Sequence, residues 1–327
     1  MPLQTPLPEH LPDADDPRLS TLQHDVSHAI ADGAFAALLE ISSPRRRAEM
    51  RSAASHESSA WLQAKPCTAD LCLEDPAFQA AVRRRLGIST LPLPHASTRC
   101  QCGKQAASLG PEHALTCPSP QKLRTDRHDR IVAVLCDALL RAGIEHSKEP
   151  HLSAFADRTA GPGAHVQARR AARAVGESRG DILFHLRDRP TVLDVSVVTA
   201  SAATYCAAAA DTDGAAAAAR DAEKHATYAR RADTGYDFLP FSVETHGRLG
   251  RPARDFLRTL GRRSADASGG LFTSQQFVDG VLREISTTLC RSNTAIERTV
   301  ALAFALPPGR VLNRAEACPS ADVADRE

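Results

Sequence analysis

Two aspartates and a lysine carry the most chemistry in this sequence. Asp181 opens an apolar run, Asp181-Ile182-Leu183-Phe184-His185-Leu186, and Asp194 sits inside a second, Thr191-Val192-Leu193-Asp194-Val195-Ser196-Val197-Val198. The segment between them, Arg187-Asp188-Arg189-Pro190, is short and polar, so the runs read as adjacent strands. Strand side chains alternate, which puts Val192, Asp194, Ser196 and Val198 on one face and Leu193, Val195 and Val197 on the other. An unpaired acid among β-branched neighbours costs on the order of several kcal/mol. A divalent cation is the simplest partner for two acids held close. Magnesium prefers oxygen ligands with water retained, and it would polarise a phosphate and acidify a bound water.

Lys224 and Tyr228 stand four apart, with Arg220 one turn earlier, so all three share a face of a following helix. An ammonium near the metal orients an attacking water or neutralises charge developing on phosphate oxygens. Glu149, on a preceding strand, is a third candidate acid. Plainer roles stay open for each: Asp181 as a turn cap, Asp194 as an arginine's partner, Lys224 and Glu149 as solvated charges.

A second constellation is Cys100-x-Cys102 followed by His113 and Cys117, a Cys3His set within 18 residues. Four such donors suit tetrahedral zinc, with Gly103 supplying a tight turn after the first pair. Zinc can organise a segment with little core of its own, since such sites bind with roughly 10–16 kcal/mol in finger peptides. Ordinary unligated cysteines remain the alternative, and a one-residue gap between Cys100 and Cys102 is less usual than two.

The elements that must position these groups follow from periodicity and caps. Residues 1–16 read as disordered, and 17–98 as a helical region. Within it Leu19, Leu22, Val26 and Ile30 repeat at helical spacing, a second helix starts at Ser43-Pro44, and a third spans Phe78 to Leu86 with Arg83, Arg84 and Arg85 at a solvated end. The knuckle occupies 99–120. Asp126 caps a helix with Ile131, Val134, Leu135, Ala138, Leu139 and Ala142 on one face, ended by Gly143. Ile144 to Leu152 is a short strand, and 153–179 an Arg-rich insertion. After the two acidic strands comes an Ala-rich helix from about Asp213 to Ala232, then a strand from Phe238 to Glu244. The order over 121–263 is therefore helix, strand, strand, strand, helix, strand. A helical pair over 271–306 and a tail over 307–327 complete the chain.

Bulk composition narrows the classes. Lys plus Arg (40) nearly balance Asp plus Glu (39), so nucleic-acid affinity has to come from local patches. Aromatics at 4% argue against a base-stacking platform for single strands. Nine cysteines without a secretory leader point to a reduced, intracellular compartment, and no apolar stretch is long enough to span a bilayer. The local patch is Arg248, Arg251, Arg254, Arg258 and Arg262, a stripe if 251–262 is helical. It suits sequence-independent phosphate binding, and equally a solvated face over Phe256, Leu257 and Leu260. Arg169, Arg170, Arg173 and Arg179 form a second candidate patch. His128, between Arg127 and Asp129, reads as structural or phosphate-contacting.

Taken in order, these motifs resemble the carboxy-terminal region of non-LTR retrotransposon reverse transcriptase proteins that carry a restriction-like endonuclease. The likeness rests on Arg84-Arg85-Leu86-Gly87, the Cys100–Cys117 knuckle, Arg127-His128-Asp129, Glu149-Pro150, Arg179-Gly180-Asp181-Ile182-Leu183, Leu193-Asp194-Val195-Ser196-Val197, Lys224 with Tyr228, and Phe241-Ser242-Val243-Glu244-Thr245-x-Gly247. It implies an α/β (α+β) fold with a restriction-endonuclease-like αβββαβ core of the PD-(D/E)XK type, a zinc knuckle and flanking helices. It further implies a nuclear enzyme that nicks double-stranded DNA with Mg2+ to expose a priming 3′-OH, with structural Zn2+, element RNA as a further partner, and no small-molecule cofactor or membrane. By that likeness Asp181 and Asp194 are metal ligands, Lys224 is the displaced catalytic lysine, Tyr228 is an auxiliary, and Ser196 occupies the usual lysine position. Two departures stand out. Gly180 replaces the usual proline, and no Tyr-x-Asp-Asp polymerase run is present, which implies a fragment, a truncated copy or a derived host gene. The rival expectation is a catalytically inactive zinc-knuckle module that binds nucleic acid.

Overall fold

The computed structural model describes residues 19–89, 100, 102–104, 113–150, 180–186, 189–229 and 236–305. It is a mixed α/β structure with one four-stranded sheet among these residues. Helices α1 (Leu19–Ile41), α2 (Pro44–Ala53), α3 (His56–Ser59) and α4 (Asp75–Leu86) come first. Ser43 caps α2, its hydroxyl accepting from Arg46 N–H at 3.3 Å with Pro44 at the first helical position. A short turn, α5 (His113–Thr116), leads into α6 (Gln121–Arg141), which ends where Gly143 takes φ +69° and Ile144 N–H bonds back to the Leu139 carbonyl.

Strands β1 (His146–Lys148), β2 (Ile182–Leu186) and β3 (Arg189–Val198) form an antiparallel meander. Two helices, α7 (Cys206–Asp211) and α8 (Ala215–Ala229), then cross over to β4 (Asp237–Glu244), which lies parallel to β3 at the sheet edge. Pro240 faces Asp194 in that ladder, a position an edge strand tolerates. Helices α9 (Arg251–Ala267) and α10 (Ser274–Ala305) follow. The β2–β3 register pairs Ile182 with Leu193, so Asp181, one residue outside the ladder, lies opposite Asp194.

The alternation of β3 divides the molecule. Leu193, Val195 and Val197 face the main core with Ile131, Leu135 and Leu139 of α6, Phe256, Leu257 and Leu260 of α9, and Ile285 and Leu289 of α10. Val192 on the opposite face packs with Tyr228 of α8. Close crossing of α9 and α10 needs Gly261, where a Cβ would come within 2.7 Å of the Ser274 carbonyl. Asn293 of α10 then ties two elements together. Its amide oxygen accepts from buried Arg127 at 2.7 Å, and its amide nitrogen donates to the Thr245 carbonyl at 2.8 Å.

Several expectations change. Asp126 does not cap α6; it lies inside the helix and pairs with Lys122 at 3.3 Å. The strand after Gly143 is only three residues long, and Glu149 lies beyond it with φ +48°. The Ala-rich helix runs Ala215–Ala229 as one piece, preceded across Gly214 by the short helix Cys206–Asp211, while the last helical pair is one helix of 32 residues. Val26 and Ile30 of α1 are 49% and 64% exposed, so helical spacing does not bury these two positions. Most consequential, Arg84 is not solvated. Its guanidinium grips Glu297 of α10 through two bonds of 2.8 Å, and Arg85 donates to Ser59 at 2.9 Å. Residues 1–16, residues 90–99, the 153–179 insertion with its four arginines, and the 307–327 tail lie outside the described residues.

The Arg84–Glu297 pair generates a test, because its side chains are only 10% and 4% exposed. Glu297→Ala leaves a buried guanidinium unpaired and is expected to cost about 3–5 kcal/mol in urea unfolding. Arg84→Met combined with Glu297→Leu should recover most of that loss.

Candidate functional site

Asp194 sits midway along β3, buried to 7% exposure, on the face that α8 covers. Its Oδ2 meets the Lys224 ammonium at 2.7 Å, and its Oδ1 accepts from the Tyr228 hydroxyl at 3.1 Å. Lys224 and Tyr228 are one turn apart on α8, as their spacing requires. The Tyr228 ring is itself held, stacked on Phe238 of β4 at 3.8 Å between centroids and packed on Val192. Ser196, two residues on and on the same face, accepts from Arg220 Nε at 3.3 Å. Ser196 thus seats an arginine on the face that carries Asp194.

Asp181 is fixed from three sides. Its backbone N–H donates to the Leu193 carbonyl at 3.1 Å, and its carbonyl accepts from Glu149 N–H at 2.9 Å. Its side-chain Oδ2 accepts from Val195 N–H at 2.6 Å, taking the place of a strand carbonyl. The same oxygen lies 3.0 Å from Nε2 of His128, whose Nδ1 lies 3.0 Å from an oxygen of Asp129. The structure therefore gathers Asp181, Asp194, Lys224 and Tyr228 at one place. Glu149 joins through its backbone, while its side chain is exposed.

His128 is the member of this group that sequence reasoning did not place. A signal existed: it lies one turn before Val132 and two before Cys136, both buried on the inner face of α6. Burial alone would lower its pKa, but the carboxylates of Asp181 and Asp129 outweigh that and raise it to about 9. Burial also raises the Asp194 carboxyl, opposed by Lys224 and reinforced by the nearby charge of Asp181. Like charges opposite one another in an antiparallel pair destabilise it, and here the two carboxylates are balanced by an ammonium and an imidazolium.

The Cys3His set closes into a cluster. The donor atoms of Cys100, Cys102, His113 and Cys117 all lie within 4.8 Å of one another. The Cys100–Cys117 sulfurs are 3.5 Å apart, and His113 Nε2 lies 3.3 Å from the Cys100 sulfur and 3.6 Å from that of Cys102. Metal–ligand bonds of about 2.3 Å to sulfur and 2.0–2.1 Å to nitrogen give tetrahedral edges of roughly 3.5–3.8 Å, so the donor set fits zinc. Local structure produces the spacing. Gly103 takes φ +85° and donates to the Cys100 carbonyl, and a single turn of α5 aligns His113 with Cys117. Burial pushes the Cys117 thiol up to about 12. The cluster packs against Val300 of α10.

The arginine stripe is shorter than its sequence suggested. Arg248 precedes α9 and is buried, donating to the Arg51 carbonyl at 2.7 Å and to Asp213 at 3.1 Å. It is a structural clasp and leaves the candidate surface. Arg254 reaches Glu57 at 3.8 Å. Arg251, Arg258 and Arg262 remain exposed on one side of α9, with Asp255 among them pairing to Arg258 at 3.1 Å.

Among the described residues no helix is long and apolar enough to cross a membrane. No family model matches the sequence, and no curated protein matches it.

The metal cluster is directly testable. Purified protein is expected to take up one zinc or cobalt ion per chain, cobalt giving the absorption of a tetrahedral thiolate site. Cys117→Ser should weaken uptake, and acidification should release the metal as protons compete for the thiolates.

Proposed function

We propose that this protein is a metal-dependent DNA endonuclease with a structural zinc knuckle, and that its αβββαβ segment is a restriction-like core of the PD-(D/E)XK type. The observation that carries the reading is the placement of two carboxylates opposite one another, Asp194 in β3 and Asp181 just before β2, with an ammonium supplied by the crossover helix. The donor set suits a hard cation: among the described residues both side-chain hydrogen bonds of Asp181 fall on Oδ2, so Oδ1 remains for a ligand role. Asp181 and Asp194 would hold Mg2+, which when bound supplies Lewis-acid polarisation of the scissile phosphate and acidifies a water.

The protein's own groups do the rest. Lys224, anchored on Asp194, places a positive charge where charge develops on phosphate oxygens. Tyr228 fixes the rotamer of Asp194 through its hydroxyl, and the Phe238 stack keeps Tyr228 in place. Arg251, Arg258 and Arg262 supply phosphate contacts on duplex DNA. Nicking leaves a 3′-OH of the kind that primes target-primed reverse transcription, the use that the retrotransposon resemblance implies.

One observation favours a second reading. Both carboxylates are already charge-compensated, by Lys224 and by His128. A catalytically inactive module that binds nucleic acid would show the same arrangement.

Nicking of supercoiled plasmid in Mg2+ or Mn2+ separates the two. Asp194→Ala and Lys224→Ala are each expected to lower the rate by about 10²-fold or more. Equal rates for wild type and both variants would sink the nuclease reading; salt-dependent binding without cleavage would establish the second. Because burial raises the Asp194 carboxyl, activity should fall on acidification at a pH above the ordinary carboxylate range. Replacing Arg251, Arg258 and Arg262 with alanine should flatten the salt dependence of DNA binding, by about one unit of slope per lost contact.

A further inference from the structure

The geometry around Asp181 assigns a role to a residue outside the two strands and the crossover helix. We infer that His128 is a positioning residue, which clamps Oδ2 of Asp181 so that Oδ1 is presented to a divalent cation. The inference rests on the nuclease reading and deepens it, because it names what sets the metal affinity of the site.

Asp181 needs such a clamp. It stands one residue before the β2 ladder begins, and the residue before it is Gly180, the least restrained of all backbones. Gly180 N–H reaches the Pro150 carbonyl at a long 3.3 Å, and the Asp181 backbone is held by Leu193 and Glu149, which leaves the rotation of the carboxylate to its side-chain contacts. The carboxylate itself is steadied by two neighbours on one oxygen, Val195 N–H at 2.6 Å and His128 Nε2 at 3.0 Å. The Val195 contact belongs to the sheet, whereas the His128 contact crosses from α6 over 53 residues of sequence. Together they fix the rotation of the carboxylate about its own axis, which one contact alone does not.

The imidazole is aimed in turn. Asp129 occupies Nδ1 at 3.0 Å, which leaves Nε2 as the nitrogen directed at Asp181. A carboxylate, an imidazole and a second carboxylate in line form a support of the kind that orients ligands behind a metal, where loss of the outer partner typically lowers metal affinity 10–100-fold. His128 touches none of Asp194, Lys224 and Tyr228 in the described contacts, so its effect should pass through Asp181 alone.

The test uses the whole 327-residue chain, zinc-loaded, and Mn2+ as the probe, with binding followed by its paramagnetic resonance signal. Three variants are compared with wild type. His128→Leu removes the donor. His128→Gln keeps an N–H that can reach Asp181. His128→Asn carries the same amide on a shorter arm. Mn2+ affinity and the Mn2+ concentration for half-maximal nicking should both shift 10–100-fold in His128→Leu and His128→Asn, and His128→Gln should restore most of the affinity. At saturating Mn2+ the nicking rates should converge. If His128→Leu does not fold, the Gln and Asn pair decides the matter, since a merely structural histidine would not be rescued by amide reach. Wild-type affinity in the Asn and Leu variants would overturn the role of His128 while leaving the nuclease reading intact. Failure of wild type itself to bind Mn2+ beyond the knuckle would overturn both.

Discussion

Two carboxylates face each other across a pair of antiparallel strands, and the rest of the site follows from that repulsion. At a few ångströms two like charges cost several kcal/mol even at an effective protein dielectric near 20. Within the two strands only the Val195 N–H, donating to Asp181, relieves it, because the neighbouring side chains are valine, leucine and isoleucine. Relief comes from outside the hairpin: Lys224 and Tyr228 reach Asp194 from α8, and His128 reaches Asp181 from α6. The two helices hold the sheet between them, and each delivers its compensating group to one acid. Each acid of the pair thus has its own partner supplied by the fold.

The helices can do this only if they are themselves fixed, and α10 does much of the fixing. It packs along α6 and α9, grips α4 through Arg84 and Glu297, bridges Arg127 to the turn after β4 through Asn293, and supports the Cys3His cluster at Val300. The Cys3His cluster is therefore joined to the same framework that carries His128. The hydrophobic cluster running from Ala60 to Leu289 makes these elements share one core.

Much of this architecture was legible from local pattern. Strand alternation put Asp194 and Ser196 on one face, helical spacing put Lys224 and Tyr228 together, and the Cys3His spacing pointed to a tetrahedral cluster. Ser43-Pro44 marked a helix start because a cap acts on backbone groups two or three residues away. Where the pattern misled, the deciding partner was distant. The arginines of α4 looked like a solvated end, and only the approach of α10, 213 residues later, makes Arg84 a buried ion. Arg248 fitted a stripe by spacing, but Asp213 and the Arg51 carbonyl draw it inward. Helical spacing on α1 was real, and no described element covers its exposed Val26 and Ile30.

The amino-acid sequence by itself determined which residues are able to ligate and which faces they share, since those properties depend on side-chain chemistry and on the period of a strand or helix. Tertiary structure alone decided which charge answers which. The His128–Asp181 contact depends on where α6 crosses the sheet, and that crossing is set by the packing of Ile131, Leu135 and Leu139 against β2, β3 and α10. Periodicity has no memory of such distances. A buried charge is neutralised by whatever the fold brings within about 3 Å of it, and that choice is made by the core.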